Sequence, residues 1–116
     1  MTPPVVFFEG VYAPITTASG YTAPATPNLQ YRINQLTFSN SGATSETITV
    51  YLIPAGQAAG DQYVCGPKAK ALAAGEAISW HWLIGQHLKS GDMLFMVAST
   101  ASKITARGSG VALPTN

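Results

Sequence analysis

The segment TITVYLI, residues 47–53, is the clearest indication of the fold. Ile48, Val50 and Leu52 point to one side of an extended chain and the intervening residues point to the other. This period of two predicts a β-strand with one face on an apolar core. The segment 54–56, Pro-Ala-Gly, ends the strand, because such residues favour turns.

Similar signals continue along the chain. Residues 31–39 alternate except between Ile33 and Leu36, which predicts a β-bulge. Residues 93–98, MLFMVA, are apolar on both faces, as in a central strand. Further strands are predicted at 62–65, 78–84 and 103–113, a strand or irregular segment at 68–74, and a single helical turn at 86–88. We therefore predict an all-β fold, an antiparallel β-sandwich of the jelly-roll or immunoglobulin type with about seven strands.

Residues 1–30 differ from the rest because they contain five of the eight prolines and a single charge, Glu9. Proline disfavours a helix, yet the segment is too apolar for a disordered tail. We predict an extended N-terminal arm or edge strand, followed by a sandwich domain at 31–116. Phe7 and Phe8 are adjacent, so in a regular strand they point to opposite faces, and one of them is expected to reach another surface. The predicted interface residues are Val5, Phe7, Phe8, Val11, Tyr12 and Tyr21.

Charge is scarce in this chain. Charged residues make up 9% of the 116, against about 25% in an average soluble domain. A surface of Thr, Ser, Ala, Asn and Gln suits a subunit that is covered by other subunits, which predicts a homo-oligomer. The net charge of +1 and six scattered basic residues predict no direct nucleic-acid contact. Neither a signal peptide nor a membrane contact is expected, and the lone Cys65 is compatible with a reducing cytosol.

Four segments in this order carry a family resemblance: TITVYLIPAGQAAG, ALAAGEAISW, LIGQHLKSGDMLFMVAS and KITARGSGVAL. They resemble small virion proteins of tailed bacteriophages, in which a strand like TVYLVPAG precedes an L-x-x-GD turn and a closing ASGV strand. The resemblance implies a β-sandwich capsid decoration or cement subunit, with the major capsid protein or other virion proteins as partners. It also implies assembly in the host bacterial cytoplasm and residence in the virion. The Pro-rich arm and the Trp-His-Trp triplet at 80–82 lie outside the pattern, so a tail or head–tail joint position stays open.

Catalytic and metal chemistry find little support. His81, His87 and Cys65 are the candidate soft ligands, and their spacing matches no zinc pattern. A Cys–His nucleophilic pair lacks an orienting group and an oxyanion loop. The five carboxylates lie beside turns or strand ends, and no phosphate-binding loop is present. We expect no enzyme activity, no metal and no cofactor.

Trp80 and Trp82 allow a rival interpretation. Two tryptophans at i and i+2 share one face of a strand. If exposed, they could form a stacking platform for a sugar or a partner protein. If buried, they fill the space between the sheets, and Ile78 and Ile84 on the same face favour this alternative. The rival function is therefore a carbohydrate- or receptor-binding module.

Overall fold

The computed structural model describes residues 4–14, 20–24 and 29–114. Their regular structure is β apart from one 3-10 turn, Asp61–Tyr63, so the all-β prediction is confirmed. The strands are β1 (Pro4–Tyr12), β2 (Gly20–Thr22), β3 (Leu29–Asn40), β4 (Glu46–Ile53), β5 (Lys70–Leu72), β6 (Ala77–Ser79), β7 (His87–Leu88), β8 (Met93–Ala98) and β9 (Ile104–Pro114).

The strands form two antiparallel sheets. Sheet A has the order β1-β9-β3-β6, with β7 also on β3, and sheet B has the order β2-β8-β4-β5. Strands pair from the two ends of the chain inward: β1 with β9, β2 with β8, β3 with β6, and β4 with β5. This is a long hairpin rolled up on itself, closed by the β3–β9 and β4–β8 pairs. The result is the strand order of a jelly roll.

The core lies between the sheets and follows the alternation of the strands. In sheet B, Ile48 and Val50 of β4 face inward opposite Ala98 and Met96 of β8. Sheet A contributes the side chains of Ile33, Leu36, Phe38, Ile104 and Ala106, all fully buried. Burial of each large aliphatic side chain contributes about 1.5–3 kcal/mol, which makes this inner layer the main stabilising element.

The first thirty residues supply one edge strand to each sheet. β1 is the edge of sheet A and pairs with β9, and β2 is the edge of sheet B and pairs with β8. Both strands therefore pair within their own chain. Residues 1–3, 15–19 and 25–28 of the predicted arm, and residues 115–116 of the predicted domain, lie outside the described residues.

The strands with a clear apolar pattern were predicted well, and several of the shorter segments were not. The strands predicted at 47–53 and 93–98 are confirmed as β4 and β8. The predicted bulge is confirmed by a register shift between Ile33 and Gln35. The predicted strand at 62–65 is wrong, because this segment is a 3-10 turn followed by a single bridge between Val64 and Tyr51. The helical turn predicted at 86–88 is wrong as well, since β7 lies there.

The strand predicted at 78–84 is interrupted. β6 and β7 lie end to end along the same edge of β3, and the chain between them leaves the sheet in a series of turns. Backbone hydrogen bonds hold both ends of this departure: Trp80 N donates to Leu36 O (2.8 Å), and Gly85 N donates to Ile33 O (2.7 Å). We call residues 81–84 the edge excursion.

Bulges in two strands face each other across β9. The register of β1 shifts between Val6 and Phe8, and that of β3 shifts between Ile33 and Gln35. Both shifts adjoin the segment 108–110 of β9, Gly-Ser-Gly. A Cβ built on Gly110 would lie 1.8 Å from the carbonyl oxygen of Arg32. Only glycine fits at this close approach of two backbones.

Candidate interaction surfaces

Phe7 and Phe8 both belong to the protein's own core, with exposed fractions of 6% and 7%. The expectation that they point to opposite faces is wrong, because the β1 bulge between Val6 and Phe8 places two residues opposite one residue of β9. Both rings therefore turn inward. Phe7 packs edge-on against the ring of Tyr21, with centroids 4.9 Å apart. Burial, with a smaller contribution from Tyr31, raises the pKa of the Tyr21 phenol.

Val11 and Tyr12 stay on the surface, with 44% and 55% of their areas exposed. Beside them, a groove of about 280 Å³ opens between the sheet edges, and Phe7, Phe8, Val11, Tyr12 and Met96 contribute to its walls. Val5 and Tyr21 are partly buried against the core. Four of the six predicted interface residues, Phe7, Phe8, Val11 and Tyr12, therefore line the same groove.

An opposite-charge pair lies on the outer face of sheet A. Glu9 of β1 is directly opposite Arg107 of β9, and both side chains are exposed. The guanidinium of Arg107 occupies the space where a side chain at position 10 would point: a Cβ built on Gly10 would lie 3.1 Å from Nη2. Gly10 has a φ of 78° at the second β1 bulge, a conformation that favours glycine. The positive charge of Arg107, although this residue belongs to β9, therefore lies next to Glu9 in the direction of β1.

The same face contains a shallow depression of about 330 Å³, lined among others by Val6, Glu9, Gln35, Arg107 and Ser109. Lys68–Asp61, at 3.1 Å, is the one ion pair of residues 4–14, 20–24 and 29–114. Glu9 and Arg107 thus form no ion pair with each other or with another described residue. The sequence pointed to neither of them; the signal available was a glycine directly after Glu9 inside a strand pattern, which marks a bulge.

Trp80 is a core residue. It is fully buried, and its Nε1 donates a hydrogen bond of 2.9 Å to the carbonyl oxygen of Cys65. Its ring packs edge-on against Phe38 at 5.4 Å. The core interpretation of Trp80 is confirmed by this burial. The bound indole N–H also explains how so large a polar-tipped side chain is accommodated between the sheets.

Trp82 lies in a different environment from Trp80. The strand ends at Ser79, so the two indoles do not share a strand face, and the prediction that they do is wrong. Trp82 is 38% exposed in the edge excursion, tilted 64° to Trp80 and next to the ring of His81 at 4.0 Å. A flat platform of two exposed indoles does not form here.

His81, His87 and Cys65 lie in different parts of the fold. His81 lies in the edge excursion and His87 on β7, both exposed, while the partly buried Cys65 follows the 3-10 turn. Burial raises the pKa of the Cys65 thiol, although a backbone hydrogen bond from Leu52 acts in the opposite direction. A raised pKa disfavours the thiolate that nucleophilic attack requires. In the described ranges, no group of three His, Cys, Asp or Glu side chains could hold a metal ion.

Two carboxylates organise turns. Asp92 accepts hydrogen bonds from the backbone N–H groups of Ala55 (3.1 Å) and Lys89 (2.9 Å), which ties the turn after β4 to the turn before β8. Glu76 accepts one from the N–H of Ala73 at 2.8 Å. Both carboxylates therefore have a structural role in turns, as their positions in the sequence suggest.

Glu46 is the carboxylate that the sequence did not single out. It is 7% exposed, and it accepts hydrogen bonds from the hydroxyls of Thr44 (2.8 Å) and Ser99 (2.7 Å). Hydrogen bonds from the hydroxyls of Thr100, Ser99 and Thr44 lower the pKa of Glu46, and Lys103 adds a smaller electrostatic effect. The partners Ser99 and Thr100 are more than fifty residues away in sequence, so no local pattern predicts this cluster.

In comparisons with known proteins, no family model matches the chain, and neither the curated proteins nor the solved structures give a match. The described part of the chain contains no helix long and apolar enough to cross a membrane.

Proposed function

We propose that this chain is a non-enzymatic structural protein of a tailed-phage virion, a capsid decoration or cement subunit that stabilises the shell through contacts between subunits. The observation that carries the proposal is the combination of a two-sheet sandwich with a sequence that has only 9% charged residues. Subunits that cover one another need little charge for solubility, whereas a free monomer normally relies on it.

The sequence motifs support the proposal through their positions. The Pro-Ala-Gly turn at 54–56 follows β4, and the Ser-Gly-Asp turn at 90–92 precedes β8. Asp92 joins these turns by hydrogen bonds. Motifs that shape a scaffold and carry no reactive groups are expected in a mechanical protein. The jelly roll adds support by analogy alone, since viral capsid proteins and lectins both use this fold.

The proposed mechanism is mechanical. A decoration subunit binds across junctions of the major capsid protein and adds buried surface to a shell under internal pressure. Each contact can be modest, because a symmetric lattice repeats it many times and avidity multiplies its effect. The partners are further copies of this chain and the major capsid protein, in the assembled particle, without direct contact to the packaged nucleic acid. A tail or head–tail joint subunit is the alternative within the same class.

The carbohydrate-binding alternative has lost its premise, because Trp80 is fully buried and tilted 64° from Trp82. A single half-exposed indole beside His81 remains. We therefore do not propose a sugar site.

The test is whether the chain is part of the particle. Particles produced with and without the gene are purified by density gradient, analysed by mass spectrometry, and heated until they release DNA. We expect many copies per particle and DNA release at a lower temperature without the chain, with recovery when purified protein is added back. A gold-labelled antibody distinguishes capsid from tail. A chain missing from purified particles contradicts the proposal.

Deletion of residues 2–14 is not a suitable variant for such tests. It would remove β1, the edge strand of sheet A, and with it the buried rings of Phe7 and Phe8. Loss of folding would then be confused with loss of assembly. Substitutions at exposed positions of β1 avoid this problem.

A further inference from the structure

We infer that the outer face of sheet A binds a second copy of this chain, packed face to face about a two-fold axis so that Glu9 of each copy meets Arg107 of the other. The inference rests on the proposed structural function and specifies the surface and the partner for its self-association.

The face offers little other charge. Outward positions of β3 and β9 are mostly Ser, Thr and Gln, and the remaining charged side chain, Arg32, donates from Nε to Oδ1 of Asn34 at 3.1 Å. A mostly polar face with few charged side chains can pack against an identical face with few charges to desolvate. The one opposite-charge pair on it then decides orientation.

The placement of the two charges is self-complementary. Because the Arg107 guanidinium lies over Gly10, the positive charge follows Glu9 along β1. Consider a two-fold axis that runs across the strands, between Glu9 and the Arg107 guanidinium. It brings the Glu9 carboxylate of each copy opposite the Arg107 guanidinium of the other copy. Two-fold interfaces use such reciprocal contacts, in which residue i meets residue j and residue j meets residue i. A surface with a single sign of charge would repel its own copy.

Apolar side chains flank the charged pair. Val6 and Tyr12 lie on the same outward face of β1, on either side of Glu9, and are 51% and 55% exposed. Aromatic side chains and Arg are enriched at interface centres, which fits Tyr12 and Arg107 on this face. The depression of about 330 Å³ next to Glu9 leaves room for side chains of the second copy.

The size of the face sets the expected strength. Three strands about 4.8 Å apart, each covering about nine residues at about 3.3 Å, give a projected area of roughly 15 Å × 30 Å. Stable complexes bury about 800 Å² per partner. The dimer is therefore expected to be weak in solution, and repetition on a lattice would strengthen it.

Reciprocal charge reversal tests the inference. Glu9→Arg and Arg107→Glu are made separately, and association is followed by sedimentation velocity from roughly 10 µM to 1 mM protein. Each variant alone should dimerise more than about tenfold more weakly than the wild type, since like charges then meet. An equimolar mixture of the variants should dimerise again, because opposite charges meet in the mixed pair. Asp61→Arg and Lys68→Glu, made at the exposed ion pair, are the matched controls and should change nothing.

Restoration in the mixture also shows that both variants are folded. The inference is overturned if the wild type stays monomeric at the highest concentration, if the single variants associate as the wild type does, or if the mixture fails to recover while both variants melt like the wild type. Incorporation into particles is measured separately. A monomeric chain that still occurs in purified particles would refute the two-fold contact and leave the structural function intact.

Discussion

The β3–β9 pair and the segment 54–92 are stabilised in different ways. β3 and β9 pair over eleven positions, from Leu29↔Pro114 to Asn40↔Ile104. The strands of the segment 54–92 are β5, β6 and β7, with only three, three and two residues. The first region depends on a continuous backbone ladder, whereas the second depends on single side chains that bind backbone groups.

The difference indicates which substitutions each region tolerates. In the β3–β9 pair the sensitive point is the space between backbones at Gly110. In the segment 54–92 the sensitive points are single side chains that bind backbone groups, which we call anchors. The anchors are Trp80, whose Nε1 donates to the Cys65 carbonyl, and Asp92, whose carboxylate accepts from two N–H groups. A ladder distributes its stabilisation over many equal bonds, but an anchor concentrates it in one residue.

The largest effect is expected for Gly110→Ala. The new Cβ would lie 1.8 Å from the Arg32 carbonyl oxygen, so the central pair of sheet A must separate. We expect a loss of about 5 kcal/mol in the free energy of unfolding, or failure to fold. Urea unfolding followed by circular dichroism measures it. Gly75→Ala is the control: Gly75 has a φ of 75° and no atom near the built Cβ, so only the left-handed conformation costs about 1–2 kcal/mol. Equal effects at the two glycines would contradict the close-approach argument.

Trp80→Ala comes next and tests the anchors. Removal of a fully buried indole leaves a cavity and an unpaired Cys65 carbonyl, at an expected cost of about 3–5 kcal/mol. Trp80→Phe keeps a ring but loses the donor, and should cost about 1–3 kcal/mol. Trp82→Ala is the matched control, with about 1 kcal/mol for the lost aromatic contact. A Trp82 variant as unstable as Trp80→Ala would show that the edge excursion, and not the core indole, holds the segment.

Asp92→Ala should have a smaller effect. It removes the acceptor for the Ala55 and Lys89 N–H groups and separates the turns after β4 and before β8. Hydrogen bonds to a charged acceptor suggest a loss of about 1.5–3 kcal/mol, with faster amide hydrogen exchange at both residues. Asp61→Ala removes an exposed ion pair and should stay within about 0.5 kcal/mol. Unchanged exchange at Ala55 and Lys89 in Asp92→Ala would refute the role of Asp92.

The same contrast explains what the sequence could predict. The alternating segment 47–53 specifies its strand and its inward face, because burial of one face enforces a period of two, and the segment 93–98 specifies a central strand by being apolar on both faces. The sandwich follows from several such strands without a helix. In the segment 54–92 the strands are two or three residues long, and distant partners such as Leu36 and Ile33 on β3 determine where the chain pairs. Local pattern therefore misplaced strands at 62–65 and 78–84.

The exposure of the predicted interface residues was foreseen only in part. Apolar composition identified the N-terminal segment, and Val11 and Tyr12 are indeed exposed. Simple alternation wrongly sent one of Phe7 and Phe8 to another surface, because a bulge changes the face of every residue beyond it. The Glu9–Arg107 juxtaposition is beyond sequence reasoning, since it requires the register of strands at opposite ends of the chain.

Glu46→Gln is expected to have the smallest effect, and it examines the hydrogen bonds that join the β3–β4 and β8–β9 connections. The Thr44 and Ser99 hydroxyls donate to different oxygens of the Glu46 carboxylate, so the glutamine keeps the shape of the side chain but only one of the two accepting oxygens. Hydroxyl donors lower the folded-state pKa of Glu46, so the carboxylate stabilises the fold at pH values above its unfolded-state pKa. This stabilisation is lost as pH falls through the lowered folded-state pKa. The melting temperature of the wild type should exceed that of Glu46→Gln near neutral pH, and the difference should shrink as the pH falls far enough to protonate the Glu46 carboxylate of the folded protein. Asp61→Asn controls for loss of a surface carboxylate, and a difference independent of pH would show that the Glu46 cluster acts by packing alone.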